Sequence, residues 1–133
     1  MRLLWTSAAV VAAALAAAGA IIADDRYEQS DTRKRAEAIT GGHADRGRAV
    51  FIAKGCGGCH TVRGVPQATG LVGPPLDGIA ERAVIAGLLE NTPANLMRWI
   101  SAPQSVVPGN AMPDLPMTEQ DVQDLAAFLY TRS

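Results

Sequence analysis

The run Cys56-Gly57-Gly58-Cys59-His60 holds both cysteines of the chain and one of its two histidines. Two thiols separated by two residues, with an imidazole directly after them, have the spacing of a covalent haem attachment site. The thiols reach two vinyl groups and the imidazole comes to lie under the iron. Glycines at 57 and 58 let so short a loop turn tightly against the ring. Other chemistries fit less well. A structural zinc site needs four ligands, and closing a tetrahedron from the adjacent Cys59 and His60 with a distant His43 is awkward. A thioredoxin-like dithiol needs a βαβ context that the neighbouring sequence lacks. A plain disulfide leaves His60 without a purpose.

Helical patterns flank this run. Asp45 is a good N-cap for RGRAVFIAK, with Val50 and Phe51 on one face and Gly55 as a stop. Gly47 would let a second helix approach closely. Thr118 and Asp121 form a capping-box-like start, after which Val122, Leu125, Ala126 and Leu129 follow helical spacing. The two helices are expected to cross at Gly47. Between them a third helix begins at Pro93, carries Leu96, Met97, Trp99 and Ile100, and stops at Pro103.

The segment SAPQSVVPGNAMPDLPMT has prolines at 103, 108, 113 and 116, a density expected to exclude helix and to stiffen the loop. Met112 sits in its middle. A methionine there is poorly explained as core and well explained as a second axial ligand, because a neutral thioether binds iron in both redox states. Met97 reads as core, and Met117 as a residue that staples onto Val122 ahead of the Thr118 cap. His43 reads as an exposed linker histidine.

The remaining sequence bounds the protein class. Its 133 residues suit one domain with an appendage. Six aromatic residues are few for a self-sufficient core, so a cofactor would supply apolar surface. A net charge of −1 argues against nucleic acid as a partner. Residues 3–23 are uncharged, and 18 of the 21 are apolar. At about 1.5 Å per residue they span roughly 30 Å, the thickness of a bilayer core. They read as a membrane anchor, with a cleaved signal ending near Ala18-Gly19-Ala20 as the other possibility. Residues 24–43 carry nine charges in 20 positions and read as a polar, solvated tether. A compact domain is expected over 44–133.

Over about residues 44–133 the chain resembles class I c-type cytochromes. GRAVF, CGGCH, GPPL at 73–76, LMRWI at 96–100 and PGNAMP at 108–113 occur in that family's order. From Gly73 to Tyr130 it also resembles the cytochrome c domain fused to subunit II of some haem-copper oxidases. The resemblance implies an all-α cytochrome c fold, short helices around one haem c, behind an N-terminal transmembrane or signal helix. It implies thioether bonds from Cys56 and Cys59 and proximal ligation by His60. By the same resemblance, the Pro74 carbonyl accepts from the imidazole, Arg82 stands near a haem propionate, and Trp99 lies beside the haem on the methionine side.

With both axial positions filled, the iron has no open site for a substrate. The expected role is one-electron transfer between membrane respiratory complexes, from a quinol-oxidising complex or dehydrogenase to a terminal oxidase or reductase, and not catalysis. Two alternatives stand beside it: a fixed cytochrome subunit of a larger membrane oxidoreductase, and a haem sensor or enzyme with a displaceable methionine. As the family implies, haem is attached outside the bacterial cytoplasmic membrane, so the domain would face the periplasm, with residues 3–23 in the lipid. Arg46, Arg48, Lys54 and Arg63 read either as a ring on the haem side that guides an acidic partner or as ordinary solvated surface charges.

Overall fold

The computed structural model describes residues 2–133, with side chains from residue 9 onward. Helix α1 (Arg2–Thr40) is followed by α2 (Ala44–Ala53), a 3-10 turn at Cys56–Gly58 and another at Ile79–Glu81. Strands β1 (Val84–Ile85) and β2 (Leu89–Glu90), helices α3 (Pro93–Ser101), α4 (Pro103–Val106) and α5 (Glu119–Tyr130) complete the chain. The chain divides into two units, one ending at Asp31 and one covering Thr32–Ser133.

In the first unit, Val10, Val11, Leu15, Ile21 and Ile22 are exposed along the helix. The first residues of the expected 3–23 anchor, including Leu3, Leu4 and Trp5, lie outside the residues whose side chains are described. Among the described residues, no helix is long and apolar enough to cross a membrane.

The second unit begins earlier than its sequence suggests. Residues 24–43 are not an open tether, since α1 runs through to Thr40, and Thr32 onward belongs to the compact unit. The reason is a narrow strip of small side chains. Ala36 and Thr40, one turn apart, are buried while their neighbours remain solvated. Gly41, at φ +72°, stops the helix. Gly42 then lies against α5, where a Cβ would stand 2.2 Å from the Gln123 carbonyl oxygen.

The start of α2 also differs from expectation. Its N-cap is His43, not Asp45, and the His43 side chain makes no capping bond. Two distant carboxylates do that work. Asp124 Oδ1 accepts from His43 N–H at 2.7 Å and Glu37 Oε1 accepts from Ala44 N–H at 3.0 Å. Asp45 instead accepts from Arg33 at 2.8 Å.

The α2–α5 crossing is the centre of the domain. Gly47 is buried at it, and Phe51 and Phe128 meet with ring centroids 5.7 Å apart. Asp124 is buried at the same crossing, where Arg46 Nε donates to Oδ2 at 2.8 Å and Gln120 donates to Oδ1 at 2.9 Å. Burial alone would push Asp124 up; the bonds from Arg46, the His43 N–H and Gln120 outweigh it and hold the carboxyl below its ordinary range. Thr118 and Asp121 close a reciprocal capping box on α5. Leu96 and Ile100 of α3 and Leu125 and Leu129 of α5 join one core with Phe51 and Phe128.

Two features lay beyond the sequence pattern. β1 and β2 form a two-stranded antiparallel pair, closed through Ala86 and Gly87 at positive φ. The proline-rich segment also contains one helical turn, α4, where helix was not expected. Pro103 starts it, a position that needs no N–H, so proline is tolerated.

Candidate functional site

The Cys56–Gly58 turn is entered through Gly55 at φ +71° and leads directly to His60, whose N–H donates to Cys56 O at 2.9 Å. Backbone packs on backbone here. A Cβ on Gly57 would lie 2.8 Å from Ala68 Cα, and one on Gly70 would lie 2.2 Å from the Gly58 carbonyl oxygen. Gly57 is therefore dictated by Ala68, whereas a Cβ on Gly58 would meet nothing within 4 Å. Both cysteines are half-buried and form no disulfide with each other. Burial pushes the Cys56 thiol above its ordinary value, with the neighbouring Cys59 adding to this and Lys54 opposing it. A reactive dithiol needs the opposite shift. Nor does a zinc site assemble: among the described residues, no three or more His, Cys, Asp or Glu side chains are grouped to hold a metal ion.

His60 is oriented by its surroundings. Its Nδ1 lies 2.8 Å from the Pro74 carbonyl oxygen. A proline carbonyl can only accept, so Nδ1 carries the proton and the Nε2 lone pair is left free. Gly73 makes room for the ring: a Cβ there would stand 2.3 Å from His60 Cε1. The Gly73 N–H donates to Cys59 O at 2.8 Å, closing the turn on itself.

A cavity of about 540 Å³ opens beside the imidazole. Phe51, Leu76, Ile79, Ile85, Leu96, Ile100, Leu125 and Leu129 make its apolar wall. Cys56, His60, Pro74, Arg82, Trp99 and Met112 border the same space; Cys59, next to His60 in the chain, is not part of the wall. Arg82 is the one full charge on that wall. Its guanidinium is tied to the Pro74–Asp77 turn, donating to Pro75 O and, at 3.3 Å, to Asp77 O.

Met112 is half-buried, and both of its backbone polar groups are bonded. Its N–H donates to Asn110 Oδ1 at 2.7 Å and its carbonyl accepts from Gln104 Nε2 at 2.7 Å. Gln104 was not legible as a site residue, because it stands in a run read as a stiff, non-helical loop. The role of Gly73 had one signal, its place before two prolines.

The four basic residues read as a ring on the haem side each have a partner on the protein. Arg46 is drawn to Asp124 at the α2–α5 crossing and Arg63 to Asp77 at 3.4 Å. Arg48 donates to Gly64 O and Lys54 to Pro116 O. None of the four borders the cavity.

The residues present fit a haem. The cavity is apolar, its border carries a soft thioether and an imidazole nitrogen with a free lone pair, and the glycine cradle under His60 would be filled by any side chain. Residues 44–133 match the family model for cytochrome c. The chain is 47% identical over 87 residues to cytochrome c oxidase subunit 2 of Alkalihalophilus pseudofirmus, covering 65% of this chain and 25% of that protein. It is 36% identical over 95 residues to cytochrome c oxidase subunit 2 of Bacillus sp. strain PS3, covering 68% of this chain and 26% of that protein. The chain thus spans about a quarter of the length of these curated relatives. No solved structure matches it.

Proposed function

This chain belongs to the cytochrome c family, with a covalent haem c and haem-based electron transfer as its activity, and on that premise we propose that it passes single electrons between membrane respiratory complexes. The donor is a quinol-oxidising complex or dehydrogenase and the acceptor a terminal oxidase or reductase. The domain works on the outer face of a bacterial cytoplasmic membrane, held there by residues 3–23.

The observation that carries this reading is the pairing of His60, with Nδ1 committed to Pro74, and Met112 on the border of one apolar cavity. Cys56 and Cys59 would hold the haem, and His60 Nε2 and the Met112 thioether would be the donors to its iron. When bound, the haem supplies a ferric/ferrous couple that takes up or releases one electron. Pro74, by accepting from Nδ1–H, fixes the ring and strengthens its donation. The thioether favours the reduced state relative to a second imidazole. The leucine and isoleucine wall excludes water and lowers the local dielectric. Arg82 offers its guanidinium to a carboxylate at the rim.

A second reading is favoured by the names of the relatives. Both are oxidase subunits, which supports a permanent place in an oxidase assembly over a diffusing shuttle. Copurification with an oxidase in detergent is expected from a permanent subunit and not from a shuttle.

The electron-transfer reading is tested on protein purified from membranes. Its intact mass should exceed the polypeptide mass by one haem, and the oxidised form should show the weak long-wavelength band of iron–thioether ligation. Rapid carbon monoxide binding by the reduced form, without that band, would turn the assignment toward a sensor or enzyme.

A further inference from the structure

The loop carrying Met112 is organised by two carboxamides. Gln104, in the single turn of α4, uses its whole side chain on it: Oε1 accepts from Gly109 N–H at 3.0 Å, and Nε2 donates to Asn110 O at 2.9 Å and to Met112 O at 2.7 Å. Asn110 works from inside the loop. Its Nδ2 donates to Pro103 O at 3.0 Å and to Val107 O at 2.6 Å, and its Oδ1 accepts the Met112 N–H. The N–H and the carbonyl of Met112 are thus each bonded to a carboxamide. Gln104 is itself fixed, because its own N–H donates to Asp114 Oδ1 at 3.0 Å and it follows the fully buried Pro103. Asn110 borders the cavity, whereas Gln104 does not and reaches the site through the backbone of Met112.

We propose that Gln104 is the positioning residue for Met112, clamping the 109–112 backbone so that the thioether stays in place against competing ligands. This rests on Met112 as the axial donor. Without the clamp the Met112 carbonyl and the Gly109 N–H lose their partner, leaving the bonds of Asn110 and the Gln104 N–H to Asp114, and the thioether leaves more often. Both donor hydrogens and the acceptor oxygen of the carboxamide are engaged, so no shorter or apolar side chain reproduces the arrangement.

The test uses the haem-loaded full-length chain and imidazole as the competing ligand, followed by the loss of the iron–thioether band. Gln104→Leu keeps the approximate volume and removes all three bonds; it should lower the imidazole concentration for half-displacement about tenfold or more. Gln104→Glu keeps the acceptor for Gly109 and places a carboxylate against two carbonyl oxygens; it should also raise displacement, and it stands in if the leucine variant fails to mature. Thr118→Ala, which weakens the cap of α5 away from the loop, should lower the melting temperature and leave imidazole displacement unchanged. Unchanged displacement in the Gln104 variants overturns the proposal, as does an equal increase in Thr118→Ala, which would reduce Gln104 to general stability. If the parent protein lacks the iron–thioether band, the assignment of Met112 itself fails, and the clamp with it.

Discussion

Gly47 of α2 and Asp124 of α5 meet backbone to backbone: a Cβ at position 47 would stand 1.8 Å from the Asp124 carbonyl oxygen and 2.8 Å from Phe128 Cβ. The nearest obstacle is main chain, which cannot swing aside as a long side chain would. Gly47→Ala should push α5 off α2 and cost about 3 kcal/mol, the upper part of the usual overpacking range. The denaturant midpoint of the haem-loaded protein measures this, and a change under about 0.5 kcal/mol, the scatter of a neutral surface substitution, would show that the helices yield freely.

Gly73 poses the same problem at the site. A Cβ there would lie 2.3 Å from His60 Cε1 and 2.6 Å from Nδ1. Gly73→Ala should force the imidazole away from Pro74 O. The expected result is a lower yield of protein with covalent haem and a changed low-spin absorption spectrum. A parent-like spectrum at parent-like yield would mean the ring has another place to go.

The haem-free chain should not hold this fold. Without haem the leucine and isoleucine wall of a cavity of about 540 Å³ meets water, in a domain whose whole stability is ordinarily about 5–15 kcal/mol. Cys56→Ala/Cys59→Ala is expected to lose its cooperative melt, followed by circular dichroism. A sharp transition near the parent's temperature would falsify this.

Acid should loosen the α2–α5 crossing. Burial opposes the Asp124 charge, yet Arg46, the His43 N–H and Gln120 hold its folded-state pKa below the unfolded one. A carboxylate of this kind stabilises the fold above its unfolded pKa, near 4, and the contribution is lost as pH falls through the folded value. Asp121, lowered by bonds from Thr118, acts in the same direction. Asp124→Ala should remove the bonds from Arg46, the His43 N–H and Gln120, cost about 1–3 kcal/mol at neutral pH and flatten stability against pH below about 4. An acid-unfolding curve parallel to the parent's would rule Asp124 out as the group responsible.

The end of α1 should contribute to the domain's stability. Removing residues 1–31 leaves Ala36, Thr40 and the Glu37 carboxylate in place, whereas removing 1–42 strips all three. The shorter truncation should melt like the parent. The longer should lose about 1–2 kcal/mol, the worth of a helix cap with some burial. Equal melting temperatures for both would return 32–42 to the status of a tether.

Several features were legible because their signals are local. CGGCH needs only its spacing; the Thr118–Asp121 box, the Pro93 start of α3 and Gly47 as a crossing point follow from rules that span a turn or a single side chain. Others arise from residues far apart in the chain. Asp124 caps a helix whose N-cap residue, His43, lies 81 residues before it, so Asp45, the better local candidate, is left to pair with Arg33. Arg46 looks like a free surface charge until α5 brings a buried carboxylate to it.

The sequence by itself determined the chemistry: two thiols and an imidazole at fixed spacing, a thioether between prolines, and short amphipathic helices on either side, all properties of covalent order. Tertiary structure alone decided which donors are held and by what. The Asp124 cap on α2, the Gln104 clamp on Met112 and the docking of 32–42 each depend on where the chain returns in space, and a hydrogen bond or a close glycine contact is set by distances of a few ångströms that no one-dimensional spacing encodes.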